Sequence, residues 1–339
     1  FVEWQKGQYV RLDKNENYWR EGLPYLDRVV VRFIADASTR TAAMENGEIH
    51  YGAFGAIPNI DVPRLAEMDS IDVTTEGYEY FAPIMQLQFN VDAEPFDDPA
   101  VRRAIATAVD RQFVIDNIWF GFGKAATGPI HSAFAATGLY TDEVRDFQGV
   151  EDKIAAANAI LDEAGYPRGD DGVRFTITHD MTPYGEEWRR FGEYVKQVLA
   201  EIGIEAELRY EDVATWLKRI YTDYDYSLSS NWLYGLPDPV LGVHRQYHSD
   251  SIRQGTVFVN GTKWSTPEMD ALMNAAKVET DPAERAAMYA EFQQTIVEES
   301  PIVFMHELEF TTVYNTKLQN VVAGPLGVYD SFAEMWIDE

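Results

Sequence analysis

The sequence predicts an α/β chain of about two domains. Its 339 residues suggest two units at roughly 150 residues each, and 46% apolar residues are enough to build their cores. Short β-branched runs with a period of two alternate with longer amphipathic runs with a period of 3.6. Val173–Thr178, Glu186–Ile202 and Ile204–Tyr210 follow one another as strand, helix and strand. That spacing calls for a parallel pair with a right-handed crossover.

The elements justify this in order. Val29 to Ile34 is a β-branched run and predicts a buried strand, followed by a helix from about Ser38 to Asn46 that Gly47 ends. Pro58 and Pro63 bracket a short turn or helix. Ile84, Gln86 and Gln88 alternate with Met85, Leu87 and Phe89, the pattern of a half-buried strand. Asp98 then offers an N-cap oxygen, and Pro99 takes the first helical position, where its missing N–H is no loss. Val101, Ala104, Ile105, Ala108 and Val109 make one apolar stripe, with Arg102, Arg103 and Arg111 at its edge or in water. A strand passing the chain to a helix in this way fits a crossover between two lobes or a βα step inside one domain.

Further on, Ile115 to Phe120 ends a second helix at Gly121-Phe122-Gly123, residues 131–150 read as a surface loop, and Ile154 to Ala164 is a helix stopped by Gly165 and Pro167. Trp216 to Tyr221 is a short helix, and Tyr226 to Asn231 a strand running into Trp232. Thr266-Pro267-Glu268 and Asp281-Pro282-Ala283-Glu284 are capped helix starts. The second turns Met288, Phe292, Thr295, Ile296 and Glu299 to one side, and Ile302 to Met305 follows as a strand.

Composition removes several functions. With 56 acidic and 28 basic residues the formal charge is −28, which argues against nucleic-acid and anionic-membrane partners, since both need a positive surface. Such acidity speaks to solubility or salt adaptation rather than to a site. The absence of cysteine rules out disulfides, thiolate chemistry and cysteine metal sites. No apolar run reaches the ~18 residues of a membrane helix.

Catalytic motifs are missing too. There is no G-x-S-x-G, and His306-Glu307 lacks the second histidine of H-E-x-x-H. His244 and His248 form the one i,i+4 histidine pair, but no carboxylate or third histidine adjoins them, so a surface pair is favoured over a metal site, and no cofactor is expected. Carboxylates are abundant enough for two to act on a glycoside, so a carbohydrate-active enzyme stays as a rival reading. A ligand-sensing domain fused to a regulator is a second rival. Asn231-Trp232-Leu233-Tyr234-Gly235-Leu236-Pro237-Asp238-Pro239 is the most informative segment. It reads as a rigid aromatic loop at a sheet edge, and open α/β sheets bind ligands beyond the carboxyl ends of their strands. The residues alone allow Trp232 and Tyr234 to stack on a ligand, or Trp232 to be core and Asp238-Pro239 a helix cap.

Several segments together resemble the family 5 extracellular solute-binding proteins, the dipeptide, oligopeptide and nickel receptors of ABC importers. Phe89-Asn90 through Pro95-Phe96-Asp97-Asp98-Pro99 to Val101-Arg102-Arg103-Ala104-Ile105-Ala106 and Asp110-Arg111 is similar to the family's signature. Gly7 to Asp27, Thr39 to Ile49, Ala156 to Gly165 with Tyr166, Ile202-Gly203-Ile204 and Trp264 to Leu272 resemble its other segments in the same order. This resemblance implies a two-lobed periplasmic-binding-protein-like fold, type II and of the large cluster C kind. It also implies that part of the first lobe is missing, roughly a third of such a protein preceding Phe1. Residues 1–90 with 306–339 would be the remainder of the first lobe, 91–305 the second, with a hinge near Asn90 and Met305.

The function implied is capture of a small polar ligand in an interlobe cleft and delivery to ABC permease subunits, in the periplasm or outside the cell, by a monomer that a missing N-terminus can anchor to lipid. The aromatic loop resembles the family segment in which peptide receptors hold the peptide ammonium on an acidic residue. Gly235 aligns with that residue and cannot neutralise an ammonium, so the resemblance points to a sugar-like or opine-like ligand, with a peptide as the alternative. Met181, Thr182 and Tyr184 match the other cleft-lining segment. Arg245 and Tyr247 are candidate partners for a ligand carboxylate.

Overall fold

The computed structural model describes residues 1–338, apart from the side chain of Val328. The chain forms two compact units, one from Phe1–Tyr80 with the stretch from Glu309 onward, the other from Phe81–Leu308. The crossings expected near Asn90 and Met305 fall at Tyr80 and Leu308, because Pro83–Phe89 and Ile302–Leu308 pair with each other in the second unit's sheet.

The first unit opens with β1 (Glu3–Gln5), β2 (Tyr9–Asp13) and β3 (Arg28–Arg32), an antiparallel sheet in that order. The run from Val29, expected to be buried, is mostly exposed, as is β1 of the same sheet, because no layer buries their side chains. Next, α1 (Ala37–Glu45) starts on Asp36, whose carboxylate accepts from Thr39 N, and ends before Gly47 at φ +70°. Strand β4 (Tyr51–Gly52), helix α2 (Val62–Leu65) and β5 (Ile71–Thr74) complete this part.

The second unit contains β6 (Pro83–Phe89), α3 (Pro99–Ala108), α4 (Arg111–Asn117), β7 (Gly123–Ala125), α5 (Lys153–Glu163), β8 (Phe175–Asp180) and α6 (Glu186–Glu201). It continues through β9 (Ile204–Arg209), α7 (Val213–Lys218), β10 (Leu228–Tyr234), α8 (Pro239–Gly242), α9 (Pro267–Val278), α10 (Pro282–Glu299) and β11 (Ile302–Leu308). The chain then returns to the first unit, where β12 (Thr312–Asn315) lies between β4 and β5, and β13 (Leu318–Gln319) pairs with β14 (Trp336–Ile337). In the second unit the sheet order is β7-β11-β6-β10-β8-β9. The expected parallel pair is β8 and β9, from Phe175↔Ile204 to Asp180↔Arg209. The sheet as a whole is mixed, since β6 runs antiparallel to both β10 and β11.

Strand β6 is buried on both faces rather than one, and Gln86 and Gln88 go inside with it. A buried amide must be bonded or it costs about 1–3 kcal/mol, and here each is bonded. Tyr221 and Asn231 join at 2.9 Å, and Asn231 Nδ2 also donates to Gln88 Oε1 at 3.2 Å. Gln88 Nε2 donates to Gln86 Oε1 at 3.0 Å, and Gln86 Nε2 to Gln246 Oε1 at 3.0 Å. Gln246 Nε2 ends the ladder on the Gly242 carbonyl at 3.3 Å.

Helix caps follow the expectation. Asp98 accepts from Ala100 N at 2.7 Å, and Asp281 from Ala283 N and Glu284 N. Arg102 is a correction, because it is buried rather than in water. Its Nε and Nη2 donate to the Glu299 carbonyl at 3.0 and 2.7 Å, and Nη1 to the Phe96 carbonyl at 2.6 Å. It thus satisfies the free carbonyl end of α10. In α10 the buried side is Tyr289, Phe292, Gln293, Ile296 and Val297, about one residue round from the stripe expected.

Replacing Gln88→Leu removes a donor and an acceptor from the ladder and leaves Asn231 and Gln86 each short of a partner. The expected loss is about 2 kcal/mol of unfolding free energy in urea. A variant as stable as the parent would show that the ladder carries little of the stability.

Candidate functional site

Trp232 and Tyr234 are the last same-side pair of β10, since residues two apart in a strand project alike. They are part of the strand rather than of an edge loop: Trp232 pairs with Met85 and Tyr234 with Pro83, and β10 lies inside the sheet between β6 and β8. Their rings meet edge to face at 5.0 Å. Tyr184, on the turn leaving the parallel strand β8, sits 6.5 Å from Trp232 and is 39% exposed, while Phe81 lies 4.8 Å from Tyr234. This trio stands at the carboxyl ends of β8 and β10, where an α/β sheet offers ligands a surface.

The turn after β10 is held by backbone. Gly235 N donates to the Phe81 carbonyl at 3.0 Å, and a Cβ on Gly235 would sit 3.2 Å from the Ala82 carbonyl oxygen. Gly242 presses so closely on the Gly235 carbonyl that a Cβ there would lie 2.1 Å from its oxygen, so position 242 admits only glycine. Asp238 caps α8 through Val240 N at 2.9 Å and takes Arg285 Nη2 on both oxygens at 2.9 Å. It therefore braces the turn and has its charge spent inside the unit.

Four other residues of the predicted site have almost no solvent surface. Asn231 belongs to the amide ladder. Thr182 bonds to Ser230, N to Oγ at 3.0 Å and Oγ1 to the carbonyl at 2.6 Å. Met181 fills the space over Gly192, whose absent Cβ would fall 2.0 Å from its sulfur. Tyr247 is fully buried against Phe292, with ring centroids 5.4 Å apart. These four residues are core, and a carboxylate in solution has no access to Tyr247.

Arg245 differs from all of these. It is half-buried, its Nε donates to the Gly242 carbonyl at 3.0 Å and its Nη2 reaches the Tyr234 carbonyl at 3.5 Å. Burial draws its pKa below the usual arginine value, and the phenol of Tyr221 opposes that only in part.

Sequence reasoning missed two groups here. Asp180, at the end of β8, is buried with Arg219 Nε 3.2 Å from its Oδ1. Burial pushes its pKa up to about 7 against the pull of Arg209 and Arg219. Glu307, at the end of β11, accepts from Ser132 N at 2.6 Å and Ser132 Oγ at 2.8 Å, anchoring the 3₁₀ turn Ser132–Thr137, whose Phe134 approaches Gly235. The only signal for either was an acid at the end of an apolar run.

The histidine pair does not converge. His244 Nε2 meets Tyr289 OH at 3.0 Å inside the unit, and His248 Nδ1 accepts from Asp250 N at 3.1 Å. His179 and His306 are fully buried with neither ring nitrogen bonded, and burial lowers both pKa values to about 3.

The fold defines a class, the α/β chains of two units whose larger unit is built on a mixed sheet. Residues 1–254 match the family model of the bacterial extracellular solute-binding proteins, family 5 (middle), and the chain belongs to that family. Heme-binding protein A of Haemophilus influenzae is 27% identical over 339 residues, covering 100% of this chain and 58% of that protein. Oligopeptide-binding protein AppA of Bacillus subtilis is 28% identical over 319 residues, covering 90% of this chain and 55% of that protein. The chain thus spans little more than half the length of these curated relatives. Among solved structures, AppA of B. subtilis in complex with a nonapeptide superposes with a TM-score of 0.84 at 24% identity, covering 99% of this chain and 65% of that one. AgaA of A. tumefaciens R10 with agropinic acid superposes at 0.79 and 24% identity, covering 100% and 66%. These likenesses show the fold of the two-lobed periplasmic binding proteins.

The two buried histidines set an acid limb. A folded pKa near 3 lies below the ordinary value of about 6.5, so the unfolded chain takes up protons first and stability is lost as pH falls from about 6.5 toward 3. His306→Phe keeps a ring against Trp119, 4.7 Å away, and removes one such group. The fall of the unfolding midpoint between pH 7 and 4 should be shallower than in the parent; an identical slope would mean that His306 already titrates in the fold.

Proposed function

We propose that the chain is the binding portion of an ABC importer's solute receptor, which holds a small polar solute and performs no covalent chemistry on it. It works outside the cytoplasm, as a monomer, and hands the solute to permease subunits in the membrane. The observation that carries this reading is the aromatic trio at the carboxyl ends of β8 and β10, with Trp232 and Tyr234 half-buried and Tyr184 exposed, in a chain of this family. Aromatic rings bind a sugar or ring face by stacking and leave polar tips for hydrogen bonds. Asp238 and Asp180 are already committed, to Arg285 and to Arg219, so neither is a free carboxylate for a glycosidase.

A peptide is the second reading, favoured by the names of relatives that bind oligopeptides and glutathione. Against its usual form stands Gly235, which brings no charge to meet an ammonium. The binding energy required is modest either way, since a ligand shifts a receptor only by its differential affinity for the two states.

The test is native mass spectrometry of protein purified without refolding, repeated after denaturation, on the parent and on Trp232→Ala. The parent should release one small molecule, and the variant should carry about tenfold less of it, the loss expected of one stacking contact. A released mass that fragments as a peptide with a free N-terminus would select the second reading. A molecule retained equally by Trp232→Ala would overturn the aromatic wall.

A further inference from the structure

We propose that the solute carries a carboxylate and that Arg245 holds it, the body of the molecule lying on Trp232 and Tyr234; this rests on the aromatic wall being the solute site. A guanidinium stays ionised in a protein, so one that leaves water needs compensation. The other desolvated arginines of this unit find it in acids: Arg102 has Glu299 at 3.7 Å, Arg174 has Asp162 at 2.5 Å, Arg219 has Asp180 and Glu211, and Arg285 has Asp238. Even Arg111, whose Nε lacks a bond, feels the field of Asp146. Arg245 has no carboxylate within 4.0 Å among the described residues, and the one titratable group acting on it is the phenol of Tyr221. In a chain with twice as many acids as bases, that is a specific omission.

Position completes the case. The bond from Arg245 Nη2 to the Tyr234 carbonyl, at 3.5 Å, fixes the guanidinium within one residue of the aromatic pair. Its bonds to the Gly242 and Tyr234 carbonyls use Nε and Nη2, so Nη1 keeps its donors for a planar oxyanion. Between Asn231 and Pro237 no side chain is acidic, and Asp238 is occupied by Arg285 and by the α8 cap. An ammonium group placed at this turn would therefore meet a cation and no acid from residues 231–237. The site as built selects an acid over its amide, and the amide over an amine.

One ring in three charge states tests this: indole-3-acetate, indole-3-acetamide and tryptamine, with glucuronate and glucuronamide as a hydroxylated pair. Dissociation constants come from ligand-observed NMR on the whole chain, with Arg245→Met and Arg245→Lys as variants. Each acid should bind about tenfold or more tightly than its amide, and tryptamine most weakly. The acid preference should fall to about unity in Arg245→Met and to a severalfold remnant in Arg245→Lys, which keeps the charge without the fork. Should the methionine variant not fold, the lysine variant alone decides. Amides binding as well as acids, a preference that survives in both variants, or no acid binding at millimolar concentration would each overturn the proposal. If the acids fail while Trp232→Ala still loses its co-purified molecule, the solute site stands and only its ligand class falls. If Trp232→Ala changes nothing but the acid preference collapses without Arg245, the reverse holds.

Discussion

The antiparallel pairing of β6 with β10, locked by a buried row of amides, is the constraint on which the second unit depends. A strand covered on both faces is ordinarily apolar. Here Gln86, Gln88 and Asn231 are inside, and the cost of burying them is offset only if every donor and acceptor is matched. A slip of one residue would turn the amides to the opposite face and break the row, so the register is held strongly. That register puts Trp232 opposite Met85 and Tyr234 opposite Pro83, and it sends both rings to the same side. The row ends on the carbonyl of Gly242, the glycine that packs on Gly235. Sheet core and site turn are therefore one connected piece of structure.

Electrostatics follows the same economy of placement. The formal charge of −28 produces a field that repels anions at long range, screened beyond about 8 Å at physiological salt. Three acids of this unit are committed inside it: Asp238 braces the turn, Asp180 sits between two arginines, and Glu307 anchors the turn that carries Phe134.

Local chemistry in the sequence was a good guide wherever the interaction is local. Asp98-Pro99 and Asp281-Pro282 start helices where expected, and the βαβ spacing from Phe175 to Arg209 yields a parallel pair. Reasoning failed where the partner is remote. The alternation of Gln86 and Gln88 is that of a solvent-facing strand, and only Gln246, 160 residues on, shows it to be internal. Arg102 looked solvated because its acceptor, the carbonyl of Glu299, is 197 residues away. Val29 to Val31 looked buried because a β-branched run says nothing of whether another layer covers it. In the candidate site, the neighbourhood of Trp232, Tyr234 and Tyr184 was legible in the sequence, and the structure brings the three rings together. Met181, Thr182, Asn231 and Tyr247 are of types that serve equally in a core, and only packing separates the two uses.

The most direct measurement is a crystal structure of the chain holding the molecule it carries from the cell. The account predicts that molecule in van der Waals contact with Trp232 and Tyr234, with an oxyanion on the guanidinium of Arg245. The same molecule seated elsewhere on the chain, with these three side chains facing solvent, would contradict it.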